Sequence, residues 1–148
     1  MYFMVGVPGE TSADVDAIVE LARKAAQLFG LRESVRISVA PLVPKPHTPL
    51  ENYNPPPLHE LRSRMDQLRK ALQADRRVVV ELYDPRRALI QSILSRADSS
   101  VADVIEEVVD RGGSLGAWRA ALKRRGLSLE LALEKWSGGD RPWGFIRP

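Results

Sequence analysis

Two short segments carry the residues best placed for chemistry. The first is Gly6-Val7-Pro8-Gly9-Glu10-Thr11, and the second is Pro41-Leu42-Val43-Pro44-Lys45-Pro46-His47-Thr48-Pro49. Gly6 and Gly9 lack a Cβ, so a ligand can approach their backbone closely. The helix expected after them opens with unpaired N–H groups that attract polar or anionic ligands. The same residues also serve a tight strand-to-helix turn with no ligand. Glu10 is either a polar ligand contact or a charge that favours the helix N-terminus. Lys45 and His47 lie on a proline-stiffened loop, which lowers the entropy cost of fixing a side chain. They offer a cation and a hydrogen-bonding imidazole at a pocket mouth, or are incidental charges on an exposed loop.

Other chemistries are excluded. The 148 residues include no cysteine, so the chain itself supplies no disulfide, thiolate zinc site, iron–sulfur ligand or cysteine nucleophile. Two histidines argue against a histidine-only metal site. There is no Ser-His-Asp signature, no GxxxxGK[ST] and no HExxH, and the sequence pairs no carboxylates as acid and base. No apolar run approaches the roughly 18–20 residues that span a bilayer. The apolar start Met1 to Val7 has no positive flank and meets Pro8-Gly9 at once, so it does not read as a signal peptide. A cytoplasmic protein without membrane partners is expected. The net charge is +3, with 5 basic and 6 acidic residues in 1–57 against 17 and 13 in 58–148. Blocks such as Lys123-Arg124-Arg125 are flanked by carboxylates, which favours a solvated helix face over a nucleic-acid contact.

The elements that must position these segments can be read from spacing. Residues 2–7 are apolar on both faces, as in a buried strand. Thr11-Ser12-Ala13-Asp14 has capping-box spacing. A helix follows with Val15, Ile18, Val19, Ala22, Ala25, Ala26 and Phe29 inward, closed by Gly30. Residues 35–42 form the next strand, making a βαβ unit whose strands are parallel. Pro41 to Pro57 is too rich in proline for helix or central strand, and a loop of that length is functional or a linker. Leu58, Leu61, Met65, Leu68 and Leu72 give a helix with a narrow apolar seam, and His59 lies on its surface. Val78 to Tyr83 is a third strand, and Asp84-Pro85 opens a short helix to about Arg96. Three further helices start at Ser100, Ser114 and Ser128, and are followed by an irregular tail. Trp118, Trp136 and Trp143 are packing residues by default.

The two loop segments resemble a known family. Tyr2 to Thr11, with Asp14-Val15 and Ile18-Val19 after it, is similar to the fifth strand and following helix of radical S-adenosylmethionine (SAM) enzymes. Val39 to Pro49 resembles their sixth strand. The likeness includes the methylthiotransferase branch, and is closer to radical SAM proteins with an N-terminal cobalamin-binding domain. It continues through Tyr83-Asp84-Pro85, Ile90 to Arg96 and Val104-Ile105. Gly112-Gly113 with Trp118, and Pro142-Trp143 with Ile146, resemble the family's C-terminal landmarks. The departures are large. The CxxxCxxC motif that holds the [4Fe–4S] cluster is absent, as is the SAM-binding segment after the second barrel strand. No Asp-His pair follows Trp143, and Ala97-Asp98-Ser99-Ser100 replaces a more basic run.

The resemblance therefore implies the last third of such an enzyme. The expected fold is α/β: a partial (β/α) barrel of two to three mainly parallel strands with crossover helices over 1–83, then a helical region over 84–148. SAM is the implied cofactor, with Met4, Gly6 and Pro8 near its adenine, Gly9 and Glu10 in the same turn, and Val43 at the sixth-strand contact. Lys45 and His47 would face the substrate, and the [4Fe–4S] cluster would belong to the missing part. The chain would be inactive alone. Its expected partner is the missing N-terminal barrel half, or a second copy covering the sheet edge. The rival reading is a self-standing protein- or RNA-binding module without catalysis.

Overall fold

The computed structural model describes residues 1–29, 35–137 and 141–145. It is an α/β protein with a three-stranded parallel sheet, and a helical region follows the sheet. The sheet contains β1 (Tyr2–Val5), β2 (Val35–Pro41) and β3 (Val78–Leu82) in the order β1-β2-β3. Phe3 pairs in register with Val39 and Val5 with Pro41, while Val35 pairs with Val78 and Ile37 with Val80. Crossovers run through α1 (Ser12–Phe29) and α2 (Leu58–Leu72).

Both crossover helices cover the same face. Val15, Val19, Ala22 and Ala26 of α1 share one core with Met65, Leu68 and Leu72 of α2 and with Val5, Val35, Ile37, Val39 and Val78 of the strands. Strand side chains alternate between faces, so Tyr2, Met4, Arg36, Ser38, Val79 and Glu81 point the other way. That face is largely bare: Tyr2 is 89% exposed and Met4 53%. The expectation that β1 is buried on both sides is thus corrected: among the described residues of this unit, both helices pack on the other face. Phe29, expected inward on α1, is 64% exposed although it continues the spacing of Val15, Val19, Ala22 and Ala26; it is the last residue of the helix, and the buried stripe ends one step earlier, at Ala26. Gly30 and Ile146 lie outside the described residues.

At the start of α1 the Asp14 half of the capping box forms, with the Asp14 carboxylate reaching back to Thr11. The Thr11 N–H and hydroxyl each donate to Asp14 Oδ2 at 2.8 Å. The hydrogen bond from the Thr11 backbone N–H, reinforced by the hydroxyl, holds the Asp14 carboxyl below its usual range. In the helical region, α3 (Pro85–Arg96) is followed by α4 (Ala102–Asp110), α5 (Leu115–Arg124) and α6 (Leu129–Ser137). Ser114 Oγ accepts from Ala117 N–H at 3.1 Å, and Ser128 Oγ from Leu131 N–H at 3.2 Å, so both serines cap as expected. Ser100 does not. Asp98 caps a 3₁₀ turn over Ser99–Val101, and the Ser100 hydroxyl accepts instead from Trp136 Nε1 at 2.9 Å.

The packing divides the chain into two units. One comprises residues 1–42 and 55–85, and the other 43–54 and 86–148. A boundary drawn along the sequence near residue 84 misses the excursion of 43–54, which packs with the helical region. In the second unit α4 packs on α5 and α5 on α6, around Val104, Val108, Trp118, Leu122 and Leu133. No helix among the described residues is long and apolar enough to cross a membrane.

Candidate functional site

The turn after β1 is where the first unit invests most specificity. Gly6 has φ +81° and is buried. A Cβ there would sit 2.9 Å from Leu61 Cδ2 and 3.2 Å from Pro56 Cδ, so both the conformation and the space demand glycine. The close approach that Gly6 permits is made, on that side, by the protein's own α2 region. Gly9 has φ +79° with nothing within 4 Å of a Cβ, and it is exposed, as is Pro8.

Glu10 closes the turn. Its Oε2 accepts from Gly6 N–H at 2.9 Å, and its Oε1 accepts from Arg64 Nη1 on α2 at 2.7 Å. The Glu10 side chain is only 4% exposed. Arg64 also approaches Glu60 Oε2, at 3.6 Å. The Glu10 carboxylate therefore staples the β1–α1 turn to α2 rather than projecting into solvent. Neither sequence reading of Glu10, as a ligand contact or as a charge at the helix N-terminus, includes these partners, and nothing local to Glu10 signals Arg64, 54 residues away.

On the bare face of the sheet, the strands bring together groups that sequence reasoning did not pair. Met4 lies in register with Ala40, and Ser38 with Glu81. Glu81 accepts from Arg36 Nη1 and, at 3.1 Å, from the Ser38 hydroxyl. An apolar step, Met4–Ala40, and a polar ladder, Arg36–Glu81–Ser38, thus share one face.

The second predicted segment belongs to the other unit. Val43 is half-buried, and the exposed Lys45 donates from Nζ to Ser95 Oγ on α3 at 3.1 Å. His47 is exposed and holds φ +59°, a conformation that L side chains rarely adopt. Its N–H donates to Glu51 Oε2 at 2.9 Å. Glu51 also accepts from Arg141 Nη1, and from Trp143 Nε1 at 3.4 Å. The His47 N–H above all, then Trp143 and Arg141, holds the Glu51 carboxyl below its usual value. Arg96, at the end of α3 and buried, donates to the Tyr53 carbonyl and, at 2.8 Å, to Asn54 Oδ1. Burial pulls its pKa below the ordinary arginine value. Sequence reasoning overlooked Glu51, Arg96 and Arg141, because their partners lie up to 92 residues away.

The residues put forward as one site therefore fall in two units. Met4, Gly6, Pro8, Gly9 and Glu10 are in the first, and Val43, Lys45 and His47 are in the second. Among the described residues, no three of His, Cys, Asp and Glu lie together so as to hold a metal ion. The basic block on α5 is partly spoken for. Glu107 pairs with Arg111 at 3.1 Å, Arg124 at 3.2 Å and Arg125 at 2.7 Å. Those guanidiniums, Arg125 foremost, hold the Glu107 carboxyl down.

No family model and no solved structure matches the chain. Among curated proteins, it is 30% identical over 110 residues to an uncharacterized protein of Methanocaldococcus jannaschii. The match takes in 72% of this chain but only 22% of that protein, so the chain spans about a fifth of the relative's length.

Proposed function

We propose that this chain is the closing part of a radical SAM-type (β/α) barrel, acting in the cytoplasm, and that it is catalytically inert without the rest. One observation carries the barrel reading. The two crossover helices share a face of the sheet, and the opposite face is left bare. A barrel keeps its helices all outside and turns the other face inward, which matches this sheet; a βαβαβ half of a doubly wound sheet shares that arrangement, and the residues of the two loops favour the barrel. The motif resemblance and the greater length of the relative support the same reading.

The residues fit the implied groups unequally. Met4 and Ala40 form an apolar step against which a flat adenine can lie. Gly6 is less open than the resemblance implies, since Leu61 and Pro56 fill the side where its Cβ would be. With no cysteine, the chain does not fit a [4Fe–4S] cluster. Lys45 and His47 would contribute on the substrate side.

The test is a SAM-cleavage assay after iron–sulfur reconstitution, with and without a co-produced polypeptide carrying CxxxCxxC from the neighbouring gene region. The isolated chain should form no 5′-deoxyadenosine, and the pair should form it. Product from the isolated chain overturns inertness. A pair that assembles but makes none overturns the radical SAM assignment. RNA binding that weakens steeply with salt would instead favour the self-standing module.

A further inference from the structure

The flanks of α1 and α2 differ in a way that the core does not require. Toward α2, α1 presents Asp16 and Arg23. Asp16 Oδ1 accepts from Gln67 Nε2 at 2.7 Å, and Arg23 Nη2 donates to the Ala71 carbonyl at 2.8 Å. On the flank turned away from α2, Ile18, Leu21, Ala25 and Leu28 recur at alternating steps of three and four, the spacing of a helix-packing seam; Ile18 and Ala25 are half-buried at the margin of the core, and Leu21 and Leu28 extend the seam beyond it. Leu21 is 47% exposed and Leu28 87%. The far flank of α2 is polar by contrast, with Arg62, Asp66, Arg69 and Gln73, and Arg69 pairs with Asp66 at 2.5 Å. One end of the layer is finished for water and the other is not.

The unfinished end coincides with an open strand edge. Among the described residues β1 pairs on one side only, with β2, so its outer edge offers unpaired N–H and C=O groups; β3 is the other edge strand, but the helix flank beside it is the polar one. Because α1 joins β1 to β2, and α2 joins β2 to β3, the flank of α1 away from α2 lies on the β1 side. An apolar helix seam beside a free parallel strand edge requires a helix and a strand together.

We infer that the β1 edge and the Ile18–Leu28 seam are the docking surface for one further strand–helix unit. Its strand pairs parallel with β1 and its helix packs on α1. This rests on the barrel part of the reading above and not on its chemistry. A second copy fits less well. Edge-to-edge pairing of two β1 strands would cover the seam but leave Tyr2 and Met4 in water. A sheet that continues and curves covers the edge, the seam and that face.

The experiment uses the polypeptide encoded next to Met1, joined to this chain where the reading frame is continuous and co-produced where it is not. A photo-cross-linking residue replaces Leu28, or Arg69 as the control on the other flank. Position 28 should cross-link to a helix of the added polypeptide, and position 69 should not. Leu21→Lys with Leu28→Lys should abolish co-purification, or in a continuous chain the cross-link from a reporter at Ile18. Arg62→Glu with Arg69→Glu should leave either unchanged. Cross-links from position 28 to a second copy of this chain, none at all, equal yields from both positions, or a neighbouring region that encodes no strand–helix unit would each overturn the inference. Assembly read this way is independent of 5′-deoxyadenosine, so docking and chemistry can fail separately.

Discussion

The two units hold their chains in different ways. In the first, parallel ladders and a continuous apolar cluster fix the strands, and polar side chains act mainly at the margins, as Glu10 does at its turn. In the second, residues 43–54 have no ladder to join. Their fixtures among the described residues include Arg96 on Tyr53 and Asn54, Lys45 on Ser95, and Arg141 on Glu51 and Asn52. One unit is patterned by residue spacing, and the other is pinned by long-range charged contacts. The first should lose most from a deleted core side chain, and the second from a deleted guanidinium.

The largest effect should come from Leu68→Ala, which empties a fully buried position in the first core. A loss of about 3 kcal/mol is expected, read as faster hydrogen exchange of the Ile37 and Val39 amides. All three tryptophans lie in the second unit, so their emission follows that unit alone. Next come the two glycines of the first turn. Gly6→Ala meets both a disfavoured φ and Leu61, and should cost about 2–3 kcal/mol in denaturant titrations. Gly9→Ala meets only the φ and should cost about 1 kcal/mol. Equal losses would remove the packing account of Gly6.

In the second unit, Arg96→Met keeps the apolar stem but deletes the donors to Tyr53 and Asn54. A loss of about 2 kcal/mol is expected, with faster protease cleavage within 43–54. Acid should act on the same unit through Glu51 and Glu107. Their folded values lie below the ordinary 4.5. Their stabilisation is therefore complete above that value and is lost as pH falls through the lower folded one. Glu51→Gln should reduce the acid-side loss seen in tryptophan emission. The smallest effect belongs to Arg36→Ala on the bare face, at about 0.5 kcal/mol or less, because its pair with Glu81 stands in water. A large loss in the isolated chain would mean that this face is already covered.

The same contrast explains what the sequence disclosed. The strands, the parallel order, the Thr11–Asp14 contact and the caps at Ser114 and Ser128 follow from short-range spacing and were legible. The bare face of β1 was not, because an apolar run reads alike whether one face or both are packed. Tyr2-Phe3-Met4-Val5 alternates outward and inward only once the helices are seen on one side. Ser100 misled because two side chains compete for that turn: Asp98 takes the N–H, and Trp136, distant in sequence, takes the hydroxyl. Within the candidate site, the Gly6–Glu10 closure is local, but a carboxylate at that spacing reads equally as a ligand contact or a helix N-terminal charge. The Arg64 and Arg141 contacts join residues with no shared pattern.

The excursion of residues 43–54 has a practical consequence for dissection. The backbone passes between the units three times, after residues 42, 54 and 85. No single cut therefore excises either unit. A chain stopped after Pro85 keeps its sheet but strands 43–54 without Ser95, Arg96 and Arg141. A nick inside 43–54, by contrast, breaks no ladder: β2 and β3 lie on opposite sides of the break and stay paired from Val35–Val78 to Val39–Leu82. That loop is thus the place to open the chain when the first unit is wanted intact.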